Sequence, residues 1–107
     1  MRYLMMSMAN DEAPDAALYA EMAKFIEEMT AAGVLLATGG LESGGTKVTS
    51  VGDEITVVDG PFAEAKEAVG GFALVEVRSK EEAIEMTKRF RRIVGDGVSV
   101  IQQVFGP

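Results

Sequence analysis

The chain reads as a single α+β domain, an antiparallel sheet carrying two helices on one face, and three observations predict it. Short apolar runs with the two-residue alternation of strands fall near residues 2–8, 34–38, 72–77 and 98–105. Two stretches, 15–32 and the one that follows Ser79, carry apolar residues at helical spacing instead. The chain has 107 residues, 48% hydrophobic and 25% charged, which suits one globular domain over 1–107 with its own core.

Residues 2–8 form the opening strand, with Tyr3, Met5 and Ser7 on one side and Leu4, Met6 and Met8 on the other. A polar connection, 9–14, leads to a helix over 15–32, with Pro14 placed for its first turn. Leu18, Met22, Phe25, Ile26 and Met29 make its apolar stripe, and Gly33 ends it as a C′ glycine does. A strand over 34–38 is interrupted by Gly39-Gly40, and 41–45 is loop. Residues 47–51 and 54–58 pair as a hairpin across Gly52-Asp53. Asp59-Gly60-Pro61 turns the chain, 62–69 is a short helix or an ordered loop, and Gly70-Gly71 precedes a strand over 72–77. Ser79-Lys80-Glu81-Glu82 is a capping box opening the second helix, which ends near Val94-Gly95. The last strand covers 98–105.

This order, β-α-β, a hairpin, then β-α-β, predicts a ferredoxin-like βαββαβ plait with an inserted hairpin. A sheet covered by helices on one side only should alternate apolar inward and polar outward. These strands are apolar on both parities: Leu4, Met6 and Met8 oppose Tyr3 and Met5; Phe72 and Leu74 oppose Ala73, Val75 and Val77; Val98, Val100 and Val104 oppose Ile101 and Phe105. The bare face therefore asks for a cover. A second copy packing sheet on sheet is the expected one, giving a homodimer. The alternative is a monomer that folds its own segment 42–70 over that face.

Composition narrows the chemistry. There is no cysteine and no histidine, so thiol nucleophiles, disulfides, thiolate or imidazole metal sites and the commonest general base are excluded. Acid–base work falls to Asp, Glu, Lys or Tyr. No metal and no cofactor are expected. The net charge of −7 repels phosphate backbones and anionic lipid, so neither nucleic acid nor a membrane is an expected partner. No apolar run approaches the ~20 residues of a membrane helix, and 3–8 is too short for a signal-peptide core, so the expected compartment is the cytoplasm. The basic cluster Lys88, Arg89, Arg91 and Arg92 ends a helix, where cations complement exposed carbonyls; an anion site is the other reading.

The eleven residues Val57-Val58-Asp59-Gly60-Pro61-Phe62-Ala63-Glu64-Ala65-Lys66-Glu67 resemble the signature of the DGPF-type branch of the YCII-related proteins. The start Met1-Arg2-Tyr3-Leu4-Met5, the segment Ala32-Gly33-Val34-Leu35-Leu36 with Gly40-Leu41, Gly71-Phe72, Ser79 to Glu85, and Gln103-Val104-Phe105 extend the resemblance over nearly the whole chain. The resemblance implies a ferredoxin-like fold paired as a dimeric α+β barrel. Relatives in the wider group are proposed enzymes built around a His–Asp pair, which a chain without histidine cannot carry. Members of the DGPF branch are often encoded near alternative sigma factors, an association that points to regulation.

Two readings of the 59–67 block follow. As a structural clamp, Asp59-Gly60 turns, Pro61 fixes φ and Phe62 anchors the loop. As a site, Asp59 leaves a strand end and serves as base or anchor, with Lys66 and Glu67 as catalytic companions. Gly60, Pro61, Phe62 and Glu64, together with Tyr3 of the opening strand, would then hold a small-molecule ligand beside the loop. On that reading the chain is an enzyme acting on a small polar molecule; the alternative is a ligand-binding or regulatory domain without chemistry. The methionines Met5, Met6 and Met8 alternate between faces and read as core rather than as soft-metal ligands. Gly39-Gly40 and Gly44-Gly45 form no phosphate-loop pattern.

Overall fold

The computed structural model describes residues 1–8, 15–60 and 69–106. Its elements run β1 (Arg2–Met8), α1 (Ala16–Ala31), β2 (Leu35–Gly40), β3 (Thr46–Val51), β4 (Glu54–Asp59), β5 (Val69–Glu76), α2 (Lys80–Val94) and β6 (Ser99–Val104). Four strands form one antiparallel sheet in the order β2-β5-β1-β6, and among the described residues β3 pairs only with β4, as a separate ribbon. The order is that of the ferredoxin-like plait with a hairpin inserted between its second and third strands.

Local chemistry sets the helix ends. Asp15 caps α1 by accepting the Leu18 amide at 2.8 Å, so the helix starts at Ala16 and Asp15 is its cap; Pro14 lies outside the described residues. At the other end the Gly33 amide donates to Thr30 and the Val34 amide to Met29, both at 3.0 Å, while Gly33 takes φ +76°. That double closure is the Schellman arrangement, and it needs the left-handed residue that glycine supplies. Ser79 caps α2, its hydroxyl accepting the Glu82 amide at 3.2 Å.

Two expectations about glycines are corrected. Gly39-Gly40 do not interrupt β2: the strand runs through them, with Gly39 opposite Phe72 and Gly40 opposite Gly71. The Phe72 ring supplies the reason, since a Cβ on Gly39 would come within 3.3 Å of its edge. The glycine keeps the strand extended where a neighbour's ring takes the space a side chain would use. Likewise Gly70-Gly71 lie inside β5, which begins at Val69 through its pairing with Met8. The helix or loop expected over 62–69 falls outside the described residues except at Val69, which is strand. The β3–β4 turn is as expected, two residues with positive φ (+58°) at Gly52 alone.

The core lies between the sheet and α2. Tyr3, Met5, Ala73, Val75 and Val77 face Ala83 and Met86, all buried, with Ala83 and Val75 the most enclosed at 0% and 1% exposure. Helix α1 sits differently. Leu18, Met22, Phe25, Ile26 and Met29 are its half-buried side chains, as the stripe predicts, yet none of its residues is fully buried.

The opposite face of the sheet lies open on the single chain. Register puts Leu4 beside Leu74 and Met6 beside both Phe72 and Val100, with Val104 next to Arg2. Val100 and Val104 remain 40% and 39% exposed, so the described part of the 42–70 segment does not cover them. Instead that segment projects as the ribbon, whose every residue is exposed, including Val48, Val51, Ile55, Val57 and Val58.

Candidate functional site

The looser seat of α1 leaves a cavity of about 90 Å³ between that helix and the sheet. Its roof is Met22, Phe25, Ile26 and Met29; its floor is Met5, Ala73 and Val75. Phe90 and Met86 of α2 close one side. Two hydroxyls and two glycines border it, Ser7 and Thr38 with Gly39 and Gly71. They come together because β1 and β2 flank β5 and present these positions near the same end of the sheet.

The polar rim is ordered. Thr38 Oγ1 donates to the Phe72 carbonyl at 2.8 Å, which leaves its lone pairs to accept. Ser7 Oγ accepts from Arg91 Nη1 at 3.3 Å, which leaves the serine proton to donate. The chamber therefore has an apolar body, a donor and an acceptor at one end, and no titratable side chain on its described walls. Among the described residues no cluster of acidic side chains could hold a metal ion.

The residues expected from sequence are placed as follows. Asp59 ends β4, exposed, its carboxylate accepting from Thr46 Oγ1 at 2.8 Å across the ribbon. Gly60 donates its amide to the Gly45 carbonyl at 2.7 Å, so the two stems of the ribbon are tied at its base. Pro61, Phe62, Glu64, Lys66 and Glu67 lie outside the described residues. The segment that carries them re-enters at Val69, paired with Met8 one residue beyond Ser7, and the Leu41 amide bonds the Gly70 carbonyl at 2.9 Å. Gly60 and Val69, the described residues on either side of 61–68, are thus both held by backbone pairing, and Val69 pairs with the neighbour of Ser7. Tyr3 is not on that rim: it is 4% exposed and packed in the core beside Val75.

Sequence reasoning missed Ser7, Thr38 and Arg91 as a group. The signal was present in part. Ser7 is the one polar residue on the inward parity of β1, and Ser99 breaks the inward parity of β6 in the same way, directly opposite it. A polar residue turned toward a core needs a partner, and Arg91 supplies it to both.

An antiparallel four-stranded plait with both helices on one face and a chamber under the first helix defines a small α+β domain of the ferredoxin-like class. The chain belongs to the YCII-related family, whose model matches residues 1–105. Among solved structures it is similar to 5-chloro-2-hydroxyhydroquinone dehydrochlorinase (TftG) from Burkholderia phenoliruptrix AC1100, determined in complex with 2,5-dihydroxybenzoquinone. The two share 14% identity with a TM-score of 0.57 over 100% of this chain and 96% of that one, a likeness of fold. No curated protein matches the chain in sequence. No helix of the described residues is long and apolar enough to cross a membrane.

Proposed function

We propose that this chain is a DGPF-type member of its family that works as a homodimer and takes a small, ring-sized molecule with a polar edge into the chamber beneath α1. The observation that carries the reading is the chamber itself, an apolar pocket of about 90 Å³ ending in the Ser7 and Thr38 hydroxyls. A dry apolar cavity of about 150 Å³ admits benzene in an engineered protein. This chamber, about 90 Å³, is smaller, so a single ring enters it only as α1, which has no fully buried residue, gives way. Specific pockets combine such an apolar body with a few placed polar groups.

The described walls hold no acid or base, so on the enzymatic reading the chemistry falls to the 59–67 block. On that reading Asp59 is base or anchor, with Lys66 and Glu67 as its catalytic companions and Gly60, Pro61, Phe62 and Glu64 as ligand-binding residues. The second reading, a binding or regulatory domain without turnover, is favoured by the same bare walls. The homodimer is supported by the open apolar sheet face and by the projecting ribbon, both of which a second copy would remove from water.

The test is amide spectroscopy with a panel of hydroxylated benzenoid compounds, 2,5-dihydroxybenzoquinone included. Shifts confined to Thr38, Gly39, Gly71 and Ala73 are expected. Conversion of a bound compound by the wild type, lost in Asp59→Asn while binding persists, selects the enzyme. Binding without conversion in both selects the accessory domain. Absence of any shift at those amides across the panel overturns the chamber as a ligand site. Sedimentation at micromolar concentration should give twice the chain mass, and a strict monomer refutes the dimer.

A further inference from the structure

On the other side of α2 a second concavity, a groove of about 700 Å³, runs between that helix and β6. Its floor is apolar, made by Ile84, Val98 and Ile101, and its rim carries Lys88, Arg91 and Arg92. The cations are not equivalent. Lys88 is held by Glu85 at 3.2 Å. Arg91 and Arg92 have no carboxylate within ion-pair distance among the described residues, in a chain with 17 acidic side chains against 10 basic.

Arg91 is the more telling of the two. Among the described residues its guanidinium donates to neutral oxygens only: Ser7 Oγ at 3.3 Å, Ser99 Oγ at 3.2 Å and the Gly95 carbonyl at 2.8 Å. Its Nε–H is shut from water with no acceptor among the described residues. Those contacts aim the planar fork rather than neutralise it, since hydroxyls and a carbonyl leave the formal charge in place. Gly97 permits the arrangement: a Cβ there would stand 2.5 Å from Arg91 Nη2, and its φ of +152° brings the loop backbone against the guanidinium. A last-turn arginine that merely complements helix carbonyls would need the Gly95 contact alone. It would not need two serines turned inward from adjacent strands to fix its orientation.

We infer that the α2–β6 groove is a binding site for a small amphiphilic organic anion, an aryl or branched alkyl carboxylate, whose charge is met by Arg91 and Arg92 while its apolar body lies on Ile84, Val98 and Ile101. Three of Arg91's five N–H bonds are spent on Ser7, Ser99 and Gly95 and its Nε–H is sealed, so it offers a carboxylate one Nη2–H and its charge, and Arg92 supplies the second cation. The groove's size is that of small-molecule sites. Its apolar floor selects an organic anion over a bare inorganic one.

Benzoate and its neutral isostere benzamide are the probes, followed by amide shifts in the full chain. Benzoate is expected to shift Gly97, Ser99 and Ile101 and leave Thr38 and Gly39 still, with benzamide at least tenfold weaker. Arg91→Lys, which keeps the charge and loses the serine-held Nη2–H, should weaken benzoate about tenfold. Arg92→Gln, at an exposed position, should weaken it about threefold without touching the fold, and so decides the matter should Arg91→Lys fail to fold. Equal binding of benzoate and benzamide overturns the site, as does benzoate affinity unchanged in both variants. Shifts appearing only around the α1 chamber overturn it as well, and leave the proposal for that chamber standing.

Discussion

Filling the chamber beneath α1 should stabilise this protein, whereas the same change one layer away should damage it. Ala73 forms part of the chamber floor, and Ala83 is sealed under α2 at 0% exposure. Ala73→Val places two further methyl-sized groups into open apolar space. At about 0.8 kcal/mol per buried methylene the gain is roughly 1.6 kcal/mol. A β-branched side chain also suits a strand. For a domain near this size that corresponds to a rise in Tm of about 6–13 °C. Ala83→Val meets no such space; overpacking costs about 1–3 kcal/mol. A poorer helix former adds up to about 0.7 kcal/mol. The two variants should therefore move urea midpoints in opposite directions, with unchanged m-values, at one fixed protein concentration so that assembly does not differ between samples. Ala73→Val should also abolish the shifts at Thr38 and Gly71 caused by any ring-sized ligand. Loss of stability in Ala73→Val as large as in Ala83→Val would show that no usable space exists under α1.

Two more outcomes follow from the helix ends. Ser79→Ala removes the acceptor for the Glu82 amide and should cost about 1 kcal/mol by denaturant unfolding. Gly33→Ala forces a side chain to φ +76° in open space, so the cost is conformational alone, about 1–2 kcal/mol, and Gly33→Asn should recover part of it.

The parts of the fold legible from sequence were those decided by neighbours in the chain. Apart from Asp15, which is the cap of α1 and not its first residue, α1's apolar stripe, its Gly33 terminus and the Ser79 cap are local devices, and all are present. The hairpin across Gly52-Asp53 was legible for the same reason. The reach of β2 through Gly39-Gly40 was not, because a ring from Phe72, more than thirty residues away, decides it. Nor was the early start of β5, which depends on pairing with Met8. The apolar character of both sheet faces could be read by parity, but the slack beneath α1 could not. Helical periodicity says which side of a helix turns inward and nothing about how closely it is seated. The 59–67 block was conspicuous in sequence, whereas Ser7, Thr38 and Arg91 carry no motif and meet only through the sheet's register.

The β3–β4 ribbon has a practical meaning for anyone handling this protein. Two strands alone in water are at best marginally stable, and among the described residues these pair only with each other, with aliphatic side chains exposed along their length. Deuterium uptake at Val48, Val57 and Val58 is therefore a built-in gauge of docking. It runs fast while the arm stands free and slows once something seats against it, whatever that companion proves to be.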